Sequence, residues 1–336
     1  MKILRGALIG CGFFSQHHQE AWRRMQDVEL VAACDLSLES ARAAAPRAYT
    51  SAEEMLNAED LDFVDIATRS TTHLDLVSLG AERGLAIICQ KPMAPDWPTA
   101  CRIVEIAERH GVRFMVHDNW RWQAWYRAAG AIIARGDIGT PLNYGFRCQV
   151  SHGAGDEPYP KQAYFRLLQR FLIDEVLVHH IDTARFLFGD IASIYAESAR
   201  RNPRLVGEDH AILTLRHVNG VMGSVEGHAF VKHNSSATHD EAIFEGDAGT
   251  IRVTSSGEIW CGQQKIWTED QGKGYRGDSV FSIQAHFIQC LKSGQPFESG
   301  AREYLEKTFA VVEAAYSSLT LHSRVEIADI VCRPCP

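Results

Sequence analysis

The first third of the chain alternates short apolar runs with amphipathic stretches. Gly6-Ala7-Leu8-Ile9 is strand-like and leads into Gly10-Cys11-Gly12-Phe13-Phe14-Ser15. A polar, helix-compatible stretch follows, then the apolar run Val28-Glu29-Leu30-Val31-Ala32-Ala33-Cys34, which stops at Asp35. Residues 61–66, 85–89 and 112–116 suit buried strands, while 37–45, 72–84 and 95–111 suit helices. Ser51 with Glu54 three positions on reads as a helix start. Such alternation predicts a parallel, doubly wound sheet to about residue 118. From about Tyr144 the texture changes. Runs at 193–199, 210–218, 221–230, 242–245, 250–253 and 258–260 are short and separated by turn signals, which suits antiparallel strands. Amphipathic stretches at 174–188, 279–291 and 301–319 interrupt them, and 152–160 reads as a loop. The expected organisation is α/β over residues 1–118 and α+β, with an open, mainly antiparallel sheet, over 119–336.

The turn after the first strand carries candidate chemistry. Gly10 permits a tight turn, and Gly12 lets backbone N–H groups approach a pyrophosphate at a helix N-terminus. Ser15 stands where a third small residue is needed. Asp35 lies 35 − 12 = 23 positions after Gly12, close to the roughly 20 at which an acid meets a ribose 2′-OH. Together these predict a dinucleotide-binding domain of the Rossmann kind, and the alternative is an ordinary glycine-rich turn without a ligand. A carboxylate repels a 2′-phosphate, and Leu36, Ser37 and Leu38 supply no cation, so NAD is expected over NADP. Ligands of such sheets bind beyond the carboxyl ends of the strands. The expected rim is therefore residues 10–14 (Gly10, Gly12, Phe13 and Phe14 among them), Asp35, residues 67–70 beginning with Ala67 and Thr68, residues 90–92 and residues 117–119.

Composition narrows the classes. A chain of 336 residues is long for one core, so two domains are expected. With 46% hydrophobic and 23% charged residues it reads as ordinary globular protein. A net charge of −8 gives no electrostatic footprint for nucleic acid or anionic lipid. No secretory pattern and no membrane-length apolar run stand out, so a cytoplasmic protein is expected. Nine cysteines without a regular framework fit reduced thiols. The C-x-x-C of Cys332-Arg333-Pro334-Cys335 lacks a second pair and reads as a frayed tail.

The turn with Asp35, then Cys89-Gln90-Lys91-Pro92, then Asn119-Trp120-Arg121-Trp122, then Glu175-Val176-Leu177-Val178-His179-His180-Ile181-Asp182 resemble, in order, the signatures of the Gfo/Idh/MocA family. These are pyridine-nucleotide sugar and polyol oxidoreductases, and the likeness spans nearly the whole chain. Ile87–Pro92, 116–123 and 184–190 resemble most the branch that contains D-apiose dehydrogenases. The resemblance implies a Rossmann domain, NAD, a sugar or polyol substrate oxidised by hydride transfer, and a homodimer or homotetramer. An aldose such as D-apiose would give a lactone.

It also implies roles. Lys91 would hold a substrate hydroxyl by a charge-assisted hydrogen bond and help lower its pKa; by itself a Lys-Pro pair merely leaves a strand for solvent. The family pattern is Glu-Lys-Pro, and Gln90 replaces the acid, where it would touch the nicotinamide ribose. His179 would be the base, and Glu175 would orient it or bind another hydroxyl. Four residues apart, they share one face of an α-helix. Glu175 is one methylene longer than the family's aspartate, and Leu177 stands at a glycine position, where it would crowd the backbone. Arg121 and Trp122 suit a polyol, or an aromatic packing cluster with Trp120, Trp125 and Tyr126. His180 serves packing or substrate contact. His73 resembles a cofactor-side histidine or is a plain helix-start residue, and Asn119 closes the cofactor set. No metal is expected; the alternative is zinc held by Glu175, His179 and Asp174 or His152. Two rival functions remain: a glycosidase of the same family that oxidises transiently with NAD, and an NAD-sensing binding protein.

Overall fold

Six short parallel strands form the first sheet of this computed structural model, which describes residues 2–230, 238–269 and 274–333. They are β1 (Leu4–Ile9), β2 (Val28–Cys34), β3 (Arg47–Tyr49), β4 (Phe63–Ile66), β5 (Ala86–Gln90) and β6 (Phe114–His117), in the order β3-β2-β1-β4-β5-β6. β4 and β6 are buried at every position, as strands covered on both faces must be. The intervening helices are α1 (Ser15–Arg24), α2 (Leu38–Ala44), α3 (Ala52–Ala58), α4 (His73–Glu82) and α5 (Trp97–Arg109). Ser51 caps α3 as expected, accepting from Glu54 N at 3.3 Å. The strand order reverses between β1 and β4, so the crevice of this sheet opens beyond Ile9 and Ile66.

The chain divides into two units, Met1–Asn119 with Lys273–Glu306, and Trp120–Gly272 with Lys307–Arg333. This corrects the expected boundary, which gave everything after residue 118 to the second domain. The Ser279–Ser293 helix returns to the first unit because its apolar face, Val280, Ile283 and Phe287, is buried there. Phe287 meets the ring of Phe63 on β4 at 5.6 Å, and the ion pair of Arg24 with Asp278 at 2.5 Å fixes the segment to α1.

In the second unit, a nine-stranded sheet comprises β7 (Pro141–Val150), β8 (Ile191–Ala199), β9 (His210–His217), β10 (Met222–His228), β11 (Thr238–Gly246), β12 (Thr250–Val253), β13 (Ile259–Cys261), β14 (Gln264–Trp267) and β15 (Val325–Glu326). Its order is β14-β13-β12-β11-β7-β10-β9-β8-β15. Neighbours are antiparallel except β7 and β10, which run parallel. β9 shows why one face packs: Ala211, Leu213 and Leu215 are buried while Ile212, Thr214 and Arg216 alternate outward. Helices α6 (Ala124–Ala134) and α7 (Val178–Phe188) lie on the packed face. There Tyr126 meets Phe146 edge-on at 5.9 Å, and Phe188 stacks on Tyr144 at 4.7 Å.

The stretch expected as one helix over 174–188 departs from that reading. Leu172–Leu177 is a π-helical turn, and regular α-helix begins only at Val178. Pro334 and Cys335 of the C-x-x-C lie outside the described residues. Among the described residues no helix is long and apolar enough to cross a membrane.

Candidate active site

The predicted rim is assembled within the first unit. Gly10 adopts φ +93°, and a Cβ there would lie 2.7 Å from Ala67 O and 2.8 Å from Thr68 Cγ2. The turn after β1 therefore touches the end of β4 so closely that no side chain fits. A Cβ at Gly12, by contrast, would meet nothing within 4 Å, so the turn is open beside it. Ser15 Oγ donates to Gly12 O at 2.7 Å and so ties the turn to the helix. Helix α1 starts at Phe14 without a side-chain cap, which leaves its first N–H groups for an anion. Phe13 is exposed, and Phe14 lies edge-on to His17, His18 and Tyr275.

Asp35 closes the turn from the other side. Its Oδ2 accepts from Cys11 N at 2.7 Å and its Oδ1 from Ser37 N at 2.9 Å. Burial and the neighbouring Asp35 charge push the Cys11 thiol up to about 12, so it stays protonated and unreactive. The tight Gly10 turn, the space beside Gly12, the uncapped helix start and an anchored carboxylate fit a dinucleotide.

Three residues expected to touch the cofactor are buried and hydrogen-bonded within the protein. His73 is fully buried, with Nδ1 3.1 Å from Met93 O and Nε2 3.2 Å from Thr68 O; burial lowers its pKa. It holds two rim loops in place. Asn119 is buried and donates from Nδ2 to Ser279 Oγ at 2.7 Å, so it anchors the returning segment. Gln90 turns its amide inward: Nε2 is 3.0 Å from His18 Nε2, and Oε1 accepts from Lys91 N at 2.8 Å. Lys91 follows at the end of β5, and the Lys91–Pro92 bond is cis.

In the second unit Glu175 and His179 do not share a regular α-helical face. Glu175 sits in the π-helical turn and His179 in the first turn of α7. Such single π turns are frequent at functional sites because they re-aim side chains. His179 lies flat on Trp120, ring centroids 4.5 Å apart and planes 13° off parallel. Leu177 is fully buried and is accommodated by Gly227 on β10, where a Cβ would come within 2.5 Å of Leu177 Cδ2. The expected crowding is thus relieved across the sheet.

Two residues expected to contact substrate are internal. His180 has no exposed surface, and its Nε2 meets Asp240 Oδ1 at 2.9 Å. Burial alone would lower its pKa, but the Asp240 carboxylate and Cys148 prevail and raise it to about 10. Arg121 is buried and bridges to Asp182, with Nε 2.6 Å from Oδ2. Trp122 carries the Arg127 guanidinium 4.5 Å from its ring centroid.

Zinc between Glu175 and His179 gains no support. Among the described residues the one group of ligand atoms near enough to share a metal is Cys148, His180 and Asp240. There Asp240 already takes His180 on one oxygen and Trp120 Nε1, at 3.0 Å, on the other. Sequence reasoning missed His18, Asp65 and Asp240, and read Trp120 only as a signature and packing residue. Asp65 had a signal: an acid inside the otherwise apolar strand Phe63-Val64-Asp65-Ile66 must have buried partners.

A doubly wound domain with this turn and acid, joined to an α+β unit, defines an NAD-dependent oxidoreductase. The chain belongs to the Gfo/Idh/MocA family: residues 4–118 match the oxidoreductase family's NAD-binding Rossmann fold, and residues 126–252 match the GFO/IDH/MocA C-terminal domain. It is 37% identical to a D-apiose dehydrogenase of Paraburkholderia graminis, over 98% of this chain and 91% of that one. It is 33% identical to a D-apiose dehydrogenase of Rhizobium rhizogenes, over 98% and 99% respectively. A crystal structure of an oxidoreductase from Agrobacterium radiobacter in complex with NAD+, L-tartaric acid and magnesium superposes with a TM-score of 0.89 at 31% identity, covering 98% of this chain and 100% of that one.

Proposed function

We propose that the protein oxidises a hydroxyl of a sugar or polyol with NAD, and that an aldose such as D-apiose, giving a lactone, is the first substrate to try. The observation that carries the reading is Lys91 at the carboxyl end of β5, on the strand-end rim that also bears the glycine turn and Asp35. Likeness to D-apiose dehydrogenases over nearly the full length supports the substrate class.

Residues around Gly10, Gly12 and Asp35 would hold NAD, which accepts a hydride when bound. Lys91 Nζ donates a charge-assisted hydrogen bond to the reacting oxygen and stabilises the negative charge that develops there. An imidazole nitrogen of His179 takes the hydroxyl proton, the general-base task to which a histidine nitrogen is suited. Stacking on Trp120 fixes the plane of that ring, and Glu175 orients it from the π-helical turn. Trp122 offers an apolar surface to a sugar face.

A panel of aldoses, polyols and sugar acids, followed by NADH absorbance, tests the reading. Turnover on at least one member is expected, falling at least a hundredfold in Lys91→Ala and His179→Ala. Near wild-type rates in both variants would overturn the assignment. Cleavage of a glycoside without net NADH would make it a glycosidase instead.

Assembly as a homodimer or homotetramer is part of the proposal, supported by Ile212, Met222 and Ile243, exposed on the central strands β9, β10 and β11; light scattering reads it directly. A cytoplasmic setting is proposed as well, since the described cysteines are free thiols.

A further inference from the structure

Gln90 stands where the family pattern has an acid, and the surrounding hydrogen bonds give a reason. The backbone N–H of Lys91 can only donate, and its partner at 2.8 Å is one terminal atom of the Gln90 amide. That atom must be the carbonyl oxygen. The other terminal atom, 3.0 Å from His18 Nε2, is then the NH2 group, a donor. His18 Nε2 must therefore present a lone pair, and the ring proton sits on Nδ1. Nδ1 in turn lies 2.8 Å from Asp65 Oδ2, which also accepts from Trp22 Nε1 at 2.7 Å. His18 and Asp65 have no exposed surface, and His18 stacks on His117 with centroids 4.1 Å apart. At each link of the chain Asp65–His18–Gln90–Lys91 a donor then faces an acceptor.

We propose that His18, held by Asp65 in its Nδ1–H form, is a positioning residue for Lys91, acting through the Gln90 amide. A glutamate at 90 would turn a carboxylate oxygen toward the His18 lone pair, acceptor against acceptor. Glutamine is the residue that satisfies both His18 Nε2 and the Lys91 N–H at once. His18 and Gln90 are thus one paired choice, made by residues 72 positions apart. The consequence for turnover rests on Lys91 acting on substrate, as proposed above; the protonation pattern does not.

The test combines spectroscopy with kinetics on the full-length, NAD-bound protein. Long-range proton–nitrogen correlation of nitrogen-labelled histidine, with His18 assigned through its neighbours, should show the Nδ1–H form in the wild type. The Nε2–H form would overturn the proposal without any variant being needed. In Gln90→Glu the new oxygen can meet His18 Nε2 only with a proton between them, on the ring or on the carboxyl, so the Nε2 signal should move from its wild-type position; an unchanged signal also counts against the proposal. His18→Asn keeps a donor near Asp65 but reaches no acceptor position for Gln90. Its kcat should fall about tenfold or more, with the KM for NAD within about twofold of wild type, and an unchanged kcat would refute the positioning role. Lys91→Ala separates the two ideas: wild-type turnover there, with His18 still in its Nδ1–H form, would sink the catalytic reading of Lys91 alone.

Discussion

Leu177 fills the space that Gly227 leaves open, with its Cδ2 2.5 Å from where a Cβ at 227 would stand. The π-helical turn that carries Glu175 packs against β10 only because that strand has no side chain at this point. Gly227→Ala should destabilise the fold by about 1–3 kcal/mol through overpacking. Adding Leu177→Ala should return part of that loss, because the two changes are coupled by contact. A double-mutant cycle in urea measures the coupling; strictly additive effects would show that the contact does not limit the site.

Gly10 and Gly12 should respond to alanine in opposite ways. At Gly10 the positive φ and the approach to Ala67 O make any Cβ strained, so Gly10→Ala should lower Tm and NAD affinity together. At Gly12 a Cβ meets open space, so Gly12→Ala should leave Tm within a degree or two while weakening NAD by at least tenfold. Thermal unfolding and NAD titration of both variants decide it. A Gly12 variant that binds NAD normally would remove the turn from the cofactor site.

Asp35 should set the choice between NAD and NADP. Both of its oxygens are anchored by backbone N–H groups of Cys11 and Ser37, so the carboxylate cannot swing away from a 2′-phosphate. Asp35→Asn removes the charge at nearly the same size, and gives up one of the two backbone hydrogen bonds because an amide NH2 cannot accept. The ratio of kcat/KM for NAD to that for NADP should fall by about tenfold or more. An unchanged ratio would mean that selectivity lies elsewhere.

How far the sequence could be read follows from the range of each interaction. The glycine turn, Asp35, the Ser51 cap and the strands β4, β5 and β6 were legible because their signals are local. The Ser279–Ser293 helix is as amphipathic as a helix of either domain, and nothing in its own pattern says that Phe287 packs on Phe63. Glu175 and His179 looked like an ordinary i, i+4 pair, since a π turn carries no distinct periodicity. Gln90 by itself reads as a loss relative to the family's glutamate, and the reason for it, His18, lies 3.0 Å away in the fold. Leu177 looked like a clash until Gly227 appeared across the sheet. For Phe287, Gln90 and Leu177 the missing partner lies tens of residues away, where composition and spacing say nothing. The same limit hid Asp240, whose two oxygens hold His180 and Trp120, and through Trp120 the plane of His179.

The His180–Asp240 pair should give the fold a measurable pH dependence. In the folded protein, burial opposes a charged imidazole, yet the adjacent carboxylate outweighs it and raises the His180 pKa to about 10; an unfolded histidine titrates near 6.5. A folded pKa above the unfolded one means that the folded state binds the proton more tightly. The pair's contribution is therefore fully present below about pH 6.5 and is lost as pH rises toward about 10. In Asp240→Asn the compensating charge is gone, so burial should leave His180 neutral throughout that window. Urea unfolding at a series of pH values should show stability falling between 6.5 and 10 in the wild type more steeply than in the variant. Other titrating groups are common to both proteins and cancel in the difference. Parallel curves would mean that the buried ring is neutral in the native protein, held to Asp240 by an ordinary hydrogen bond.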